Sequence, residues 1–148
     1  MGKDSERGVH LERTGPLQFR VTNRRGRSMI IGNGDPDAFG PVDLLLAAIA
    51  GCTAMDVDAI TGKRAEPERF EVDIRADKIK ESGGNRLVNI EINFQVRFPD
   101  SEAGAAAGAV LPVAARKSHD RLCVVSRTVE LPTPITVRID GSELPEPE

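Results

Sequence analysis

The alternation of apolar and polar positions predicts most of the elements in this chain. Val9, Leu11 and Arg13 alternate with polar or charged neighbours until Gly15-Pro16 breaks the run. Leu17, Phe19 and Val21 alternate again as far as the turn-like Asn23-Arg24-Arg25-Gly26. Met29-Ile30-Ile31 then makes a third short strand, closed by Gly32-Asn33-Gly34-Asp35-Pro36. Three short strands separated by turns predict a small antiparallel meander. The closing loop holds one Gly-x-Gly without a third glycine, so it reads as a turn and not as a phosphate-binding loop.

A helix comes after the meander. Pro41 suits a first helical position, and Asp43 places a negative charge in the first turn, where the helix dipole favours it. Val42, Leu45, Leu46, Ile49, Thr53 and Val57 recur at helical spacing, while Leu44, Ala47, Ala48, Ala50 and Gly51 fill the other faces. Such a helix is expected to be buried on most sides, and Gly62 ends it. Phe70, Val72, Ile74 and Ala76 then alternate with Glu71, Asp73 and Arg75. After Ser82-Gly83-Gly84-Asn85, the residues Val88, Ile90, Ile92, Phe94, Val96 and Phe98 alternate in the same way, which predicts a long hairpin with one buried face.

The Ala-rich segment 102–115 predicts a helix interrupted or kinked near Pro112. Ser118 is expected to cap a further helix carrying Leu122, Cys123, Val125, Ser126 and Val129, stopped by Leu131-Pro132-Thr133-Pro134. Ile135, Val137 and Ile139 alternate as a last strand before a loose acidic tail. The order is βββ-α-ββ-α-β, an α+β arrangement. It forms one domain over residues 1–148 with its core between about 9 and 139.

Composition narrows the function classes. With 39% hydrophobic and 29% charged residues in 148, the chain has a globular composition and enough length to need no disulfide or metal staple. A net charge of −3, no Trp, no Tyr and five Phe argue against nucleic-acid binding, which wants a basic footprint or stacking platforms. The longest nearly uncharged apolar stretch, Leu44 to Met55, is shorter than the ~20 residues of a membrane span, so it reads as a core helix. The opening Met-Gly-Lys-Asp-Ser-Glu is polar and lacks the apolar segment of an export signal, which points to the cytoplasm. Cys52 and Cys123 form no Cys-x-x-Cys and cannot complete a structural zinc site unaided, so no metal is expected, and reduced thiols are.

These two thiols are the candidate chemistry. Each lies in an apolar helical stretch, where a free cysteine is commonly an inert small hydrophobe. Asp56, one turn after Cys52, would oppose a thiolate there. Ser118-His119-Asp120 has the residue types of a catalytic triad, but consecutive helical residues do not face one another, and a cap with surface charge after it is the expected reading. His10 reads as a strand-surface residue and Arg24-Arg25-Gly26-Arg27 as a solvated turn.

Two segments carry a family resemblance. Gly40 to Val57, with Cys52 near its end, resembles the central-helix signature of the osmotically inducible protein C (OsmC) family, which includes the organic hydroperoxide resistance proteins. Ser118 to Thr128, with Ser126 three residues after Cys123, is similar to that family's second cysteine helix. The resemblance implies an intertwined homodimer with arms exchanged and thiol sites at the subunit interface. It implies that Cys52 attacks an organic hydroperoxide, that Cys123 resolves the resulting sulfenic acid as a disulfide, and that a dithiol reductant reopens it, with no cofactor because sulfur carries both electrons. Leu45, Leu46, Ile49 and Met55 would supply apolar walls.

The peroxidase branch also implies an arginine in the first hairpin turn, held by a glutamate ten positions before the cysteine. Here that position is Val42, with Asp43 one residue later, a spacing found in a less characterised branch. One residue turns the side chain by ~100° around a helix. Arg20 is taken as the cation that would activate Cys52, with Arg13 the other choice, and Asp43 as the acid beside it. The competing reading is a dimeric module without catalysis that binds a small apolar ligand at the interface. The dimer itself has an argument independent of family: one sheet covers only one face of a helix that is apolar all round.

Overall fold

In the computed structural model, which describes residues 5–147, Val9–Gly15 (β1), Gln18–Asn23 (β2) and Ser28–Gly32 (β3) form an antiparallel sheet in chain order. The opening Met1–Asp4 and the final Glu148, to which the expectations of an unexported start and a loose tail extend, lie outside the described residues. Next come the helix α1 (Pro41–Thr61), the strands β4 (Arg69–Glu81) and β5 (Gly84–Arg97), and the helix α2 (Glu102–Lys117). A π-helical turn (Ser118–Leu122), the helix α3 (Val124–Glu130) and a two-residue pair, β6 (Arg138–Ile139) and β7 (Ser142–Glu143), complete the chain. The α+β order expected from the pattern is present.

Two compact units share these elements. One comprises the described residues up to Ala48 together with Ile74–Glu91; the other comprises Ile49–Asp73 and the residues from Ile92 on. In the first unit the meander departs from expectation at Leu17. Gly15 pairs with Gln18, so Pro16 and Leu17 form a two-residue turn, and Leu17 adopts φ 55 instead of starting β2. A branched side chain in the left-handed region costs ~1–2 kcal/mol. The turn is held from below: the N–H groups of Asn33 and Gly34 donate to the Leu17 carbonyl at 3.0 and 3.2 Å. Gly32, at φ 124, lies so close to that oxygen that an added Cβ would overlap it. The Gly-x-Gly is therefore a backbone clamp on the first hairpin, in keeping with its reading as a turn.

Gly40 immediately precedes helix α1, and its N–H donates to the Asp43 carboxylate at 2.9 Å, the reciprocal half of a helix-start cap. The helix runs for 21 residues, from the expected start at Pro41 to the residue before Gly62, and is long and apolar enough to cross a bilayer. The expectation of burial on most sides is not met in the single chain. Only the stripe Ile49, Ala50, Thr53, Val57 and Thr61 is buried, while Val42, Leu45 and Met55 stay exposed.

The β4–β5 hairpin alternates as expected over its base, where Phe70 and Phe94 meet edge to face at 6.1 Å. Its outer face is laced by polar pairs, Arg97 with Glu68 and Gln95 with Asp73 in the second unit, Arg75 with Glu91 and Asn89 with Asp77 in the first. Asn89 is left-handed (φ 53), which breaks the strict alternation and leaves both Leu87 and Val88 half-buried.

In the second unit α2 is capped by Ser101, whose hydroxyl accepts the Gly104 N–H at 3.0 Å. Pro112 does not interrupt it; the helix continues to Lys117, and both Pro112 and Gly108, whose carbonyl loses its partner, are exposed to solvent. The last strand is reduced to Arg138–Ile139, with Ile135 and Val137 exposed in the extended segment before it.

The clamp on the first hairpin predicts a difference between two glycines that both have positive φ. Gly26 meets nothing where a Cβ would be, whereas Gly32 meets backbone. Urea unfolding should show Gly26→Ala losing about 1 kcal/mol from strain alone. Gly32→Ala should lose more than about 2 kcal/mol, with an unchanged denaturant slope.

Candidate active site

Helix α1 contributes three side chains to the second unit: Cys52, half-buried; Thr53, buried; and Asp56, one turn after Cys52. Ser118 faces them from the end of α2. Its side chain has no solvent exposure, and its hydroxyl donates to the Asp56 carboxylate at 2.7 Å. The Ser118 carbonyl in turn accepts the Cys123 N–H at 2.9 Å, closing the wide π-helical turn.

This turn changes the position of Cys123. It was expected inside a helix that Ser118 caps; instead Cys123 is itself the cap of α3, with extended backbone (φ −75, ψ 100). Its sulfur accepts the Ser126 N–H at 3.3 Å, and its carbonyl accepts the Arg127 N–H at 3.1 Å. The physical reason is the extra residue of the π turn, which uses up Ser118–Leu122 before α3 can begin. The Cys-x-x-Ser spacing is that of a cap and the third helical residue, so the sequence held a signal for it.

The two sulfurs interact directly and experience opposite fields. Burial pushes the Cys52 thiol up; its hydrogen bond with Cys123 and the negative charges of Cys123 and Asp56 add to this, and only the Val125 N–H pulls it down. Burial also acts to raise Cys123. There, however, the Ser126 hydroxyl and N–H, Thr53 and Cys52 all hydrogen-bond to the sulfur, and together they hold that thiol below its ordinary value. Of the two thiols Cys123 is therefore the one that gives up its proton more readily. Among the described residues neither sulfur accepts a hydrogen bond from a lysine, arginine or histidine.

Other sequence candidates fall elsewhere. Arg13 and Arg20 are exposed on β1 and β2, in the unit that does not contain the thiols, as is Asp43, which caps α1. His10 is exposed on β1, and Arg24-Arg25-Gly26-Arg27 is a turn organised by the Asn23 side chain, which accepts from the Arg25 and Arg27 N–H groups. Ser118-His119-Asp120 forms no triad, because Ser118 turns to Asp56. His119 and Asp120 nonetheless meet, against the helical expectation, at 2.9 Å, and His119 also reaches Glu130 at 2.9 Å. These carboxylates raise the His119 pKa. The clamp is accordingly at full strength below the ordinary imidazole value and is lost as pH rises through the raised one. Thr53, Ser118 and Ser126 are the site residues whose contacts sequence reading missed. The 62-position gap between Asp56 and Ser118 left no local pattern to find.

Against this geometry, a family profile described as "OsmC-like protein" matches residues 33–138. That is more than half of the chain and includes both cysteines. The chain belongs to the OsmC-like family. The fold agrees with solved structures of low identity. An OsmC-like protein of unknown function from Vibrio cholerae aligns over 85% of this chain and 94% of its own at 15% identity, with a TM-score of 0.71. A hypothetical protein from Aquifex aeolicus aligns over 85% and 88% at 23% identity and TM-score 0.70. The organic hydroperoxide resistance protein OhrB of Bacillus subtilis aligns over 84% and 90% at 17% identity and TM-score 0.50. The search of curated sequences returned no match.

For this OsmC-like protein the Ser118–Asp56 bond should be a large share of what fixes the second cysteine. Ser118→Ala deprives the Asp56 carboxylate of its partner, and urea unfolding should register a loss of about 1–3 kcal/mol. A change within 0.5 kcal/mol, the usual range for surface sites, would show the bond to be incidental.

Proposed function

We propose that this protein is a thiol-dependent peroxidase that reduces organic hydroperoxides in defence against oxidative stress. The observation that carries the reading is the direct pairing of Cys52 and Cys123, one partly exposed and the other fully buried beside it. Cys52 is the peroxidatic residue: its sulfur attacks the peroxide O–O bond, an alcohol leaves, and a sulfenic acid remains. Cys123 then displaces hydroxide to form the disulfide, which a dithiol reductant reopens by exchange. Sulfur supplies both electrons, so the reaction runs without a cofactor.

Met55, three positions after Cys52 on α1 and 75% exposed, offers an apolar surface on the same side of the helix for an organic substituent. Family membership supports the reading, and two similar structures bear names of hydroperoxide resistance, OhrB and an OsmC-like protein from a Jannaschia species aligned at 16% identity, TM-score 0.50, over 92% of this chain and 94% of its own. The reading keeps Arg20 as the cation that would stabilise charge at Cys52 and Asp43 as the acid beside it, on the strength of the resemblance. It treats the chain as one domain working in the cytoplasm on a small molecule, with no nucleic acid, membrane or metal involved.

Reduced protein supplied with a dithiol should consume cumene hydroperoxide, and Cys52→Ser should abolish consumption. Mass spectrometry after one equivalent of peroxide should show the loss of two hydrogens and a linked Cys52–Cys123 peptide pair. Turnover no faster than Cys52→Ser would instead favour a module that binds an apolar ligand.

The same reading makes the protein a homodimer. Val42, Leu45 and Met55 of α1, together with Ile135, Val137 and Ile139, leave more apolar surface exposed than scattered single residues would. A symmetric pair covers it. From a chain mass of 16.0 kDa, light scattering should give about 32 kDa. Unfolding should shift with protein concentration. A stable species at the chain mass would overturn the dimer.

A further inference from the structure

The charges of this chain are unevenly placed. The first 32 positions hold seven of its 20 basic residues and three of its 23 acidic ones, so they carry +4 while the remaining 116 carry −7. Six of those seven are arginines. In the β4–β5 hairpin each arginine faces a glutamate: Arg69 with Glu71, Arg75 with Glu91, Arg86 with Glu81 and Arg97 with Glu68. In the meander, Arg24, Arg25 and Arg27 have no carboxylate partner among the described residues.

The fold gathers these charges at one end of the first sheet. Val9 pairs with Asn23, so Arg7, two residues earlier, runs out beside the β2–β3 turn that carries Arg24, Arg25 and Arg27. Asn23 fixes that turn by accepting the Arg25 and Arg27 N–H groups on its side-chain oxygen at 2.9 and 3.1 Å. The Arg24 and Arg7 guanidinia both donate to the Glu6 carbonyl, at 2.5 and 3.0 Å. Two like charges thus converge on one neutral oxygen, and a guanidinium has five N–H donors, of which this contact uses one. A hollow of about 710 Å³ opens here, lined by Arg7, Arg24 and Arg25 with Glu6 as the one acid on its wall. A second, of about 610 Å³ and lined by Arg25 and Arg27, adjoins it through Asn23 and Arg25. Both volumes fall within the ~300–1,000 Å³ of small-molecule sites.

We propose that this end of the first sheet binds a small soluble anion carrying two or more phosphoryl groups. Arginine presents a planar fork that matches phosphate oxygens two at a time, which lysine does not. Several guanidinia around one hollow suit a multiply charged anion, because a single carboxylate would neutralise one of them and leave the others facing each other. The walls hold no aromatic ring on which a base could stack, so the phosphates themselves are what is recognised. An extended nucleic-acid strand is a poor fit, since the −7 carried by the rest of the chain repels it. The site lies in the unit without the thiols, so it stands or falls apart from the peroxidase reading.

Calorimetric titration of the full chain with pyrophosphate at low ionic strength, where such contacts are least screened, should give one site with a Kd below about 1 mM. Arg25→Gln, whose guanidinium has no internal bond to lose among the described residues, should weaken binding about tenfold, the size of one charge-assisted hydrogen bond. Arg24→Gln should do the same, with urea unfolding to show that both variants are folded. Arg13→Gln removes the same charge near the other end of the sheet, where Arg13 pairs with Phe19, and should leave the Kd unchanged. Equal weakening by Arg13→Gln would reveal a diffuse field and overturn the proposal. Absence of binding up to about 10 mM pyrophosphate, or citrate binding as tightly, would overturn it too. Binding to phosphatidylglycerol vesicles without binding to pyrophosphate would put the phosphoryl group on a lipid, against the soluble ligand proposed.

Discussion

The hydrogen bond from the buried Ser118 hydroxyl to the Asp56 carboxylate is the constraint on which the candidate site depends. It joins two segments 62 positions apart, and each end also holds something else in place. Asp56 belongs to the same helix as Cys52, one turn away. Ser118 begins the π-helical turn and receives the Cys123 N–H on its carbonyl. A hydrogen bond from a buried hydroxyl to a half-buried carboxylate is worth more than a neutral pair and costly to orphan. The bond therefore sets the position of one thiol relative to the other through backbone geometry and not through a disulfide.

That placement has an electrostatic consequence. Placed inside a helix, Cys123 would have met carbonyl-bonded N–H groups and little else. Placed at the start of α3, it meets N–H groups not yet used by the helix, with Ser126 supplying both a backbone and a side-chain donor. Cys52 lies in the interior of α1, where the amides are spent, and Asp56 adds an opposing charge. Two thiols in contact thus take opposite directions of shift for reasons that are local to each. Their titration is accordingly a property of the pair.

Much of the fold was legible because it obeys short periods. The period of two in β4 and β5, the glycine-rich turns and the proline start of α1 all sit within a few residues of their effect. The departures have a common cause: local patterns were overridden by contacts from elsewhere. Leu17 reads as a strand residue, but its carbonyl is taken by Asn33 and Gly34, which forces the turn onto it. Pro112 reads as a break, yet α2 carries it on an exposed face. Both cysteines were legible as candidates by residue type. Their pairing was implied by the family resemblance alone, because it depends on a π turn that no periodicity announces and on a serine–aspartate contact with no sequence neighbour. The pattern of α1 reads as burial on most sides, whereas only one stripe of it is covered within the chain.

The central claim is that Cys123 is the more readily ionised of the two thiols in the reduced site. The most direct test is a pH titration of the cysteine 13Cβ resonances in reduced, cysteine-labelled protein, with Cys52→Ser used for assignment. The account predicts that the Cys123 resonance moves first, below the ordinary thiol range near 8.5. The Cys52 resonance should move only at higher pH, with its midpoint dropping when Asp56 is replaced by Asn. A titration in which Cys52 ionises first, or in which both move together near the ordinary value, would contradict it.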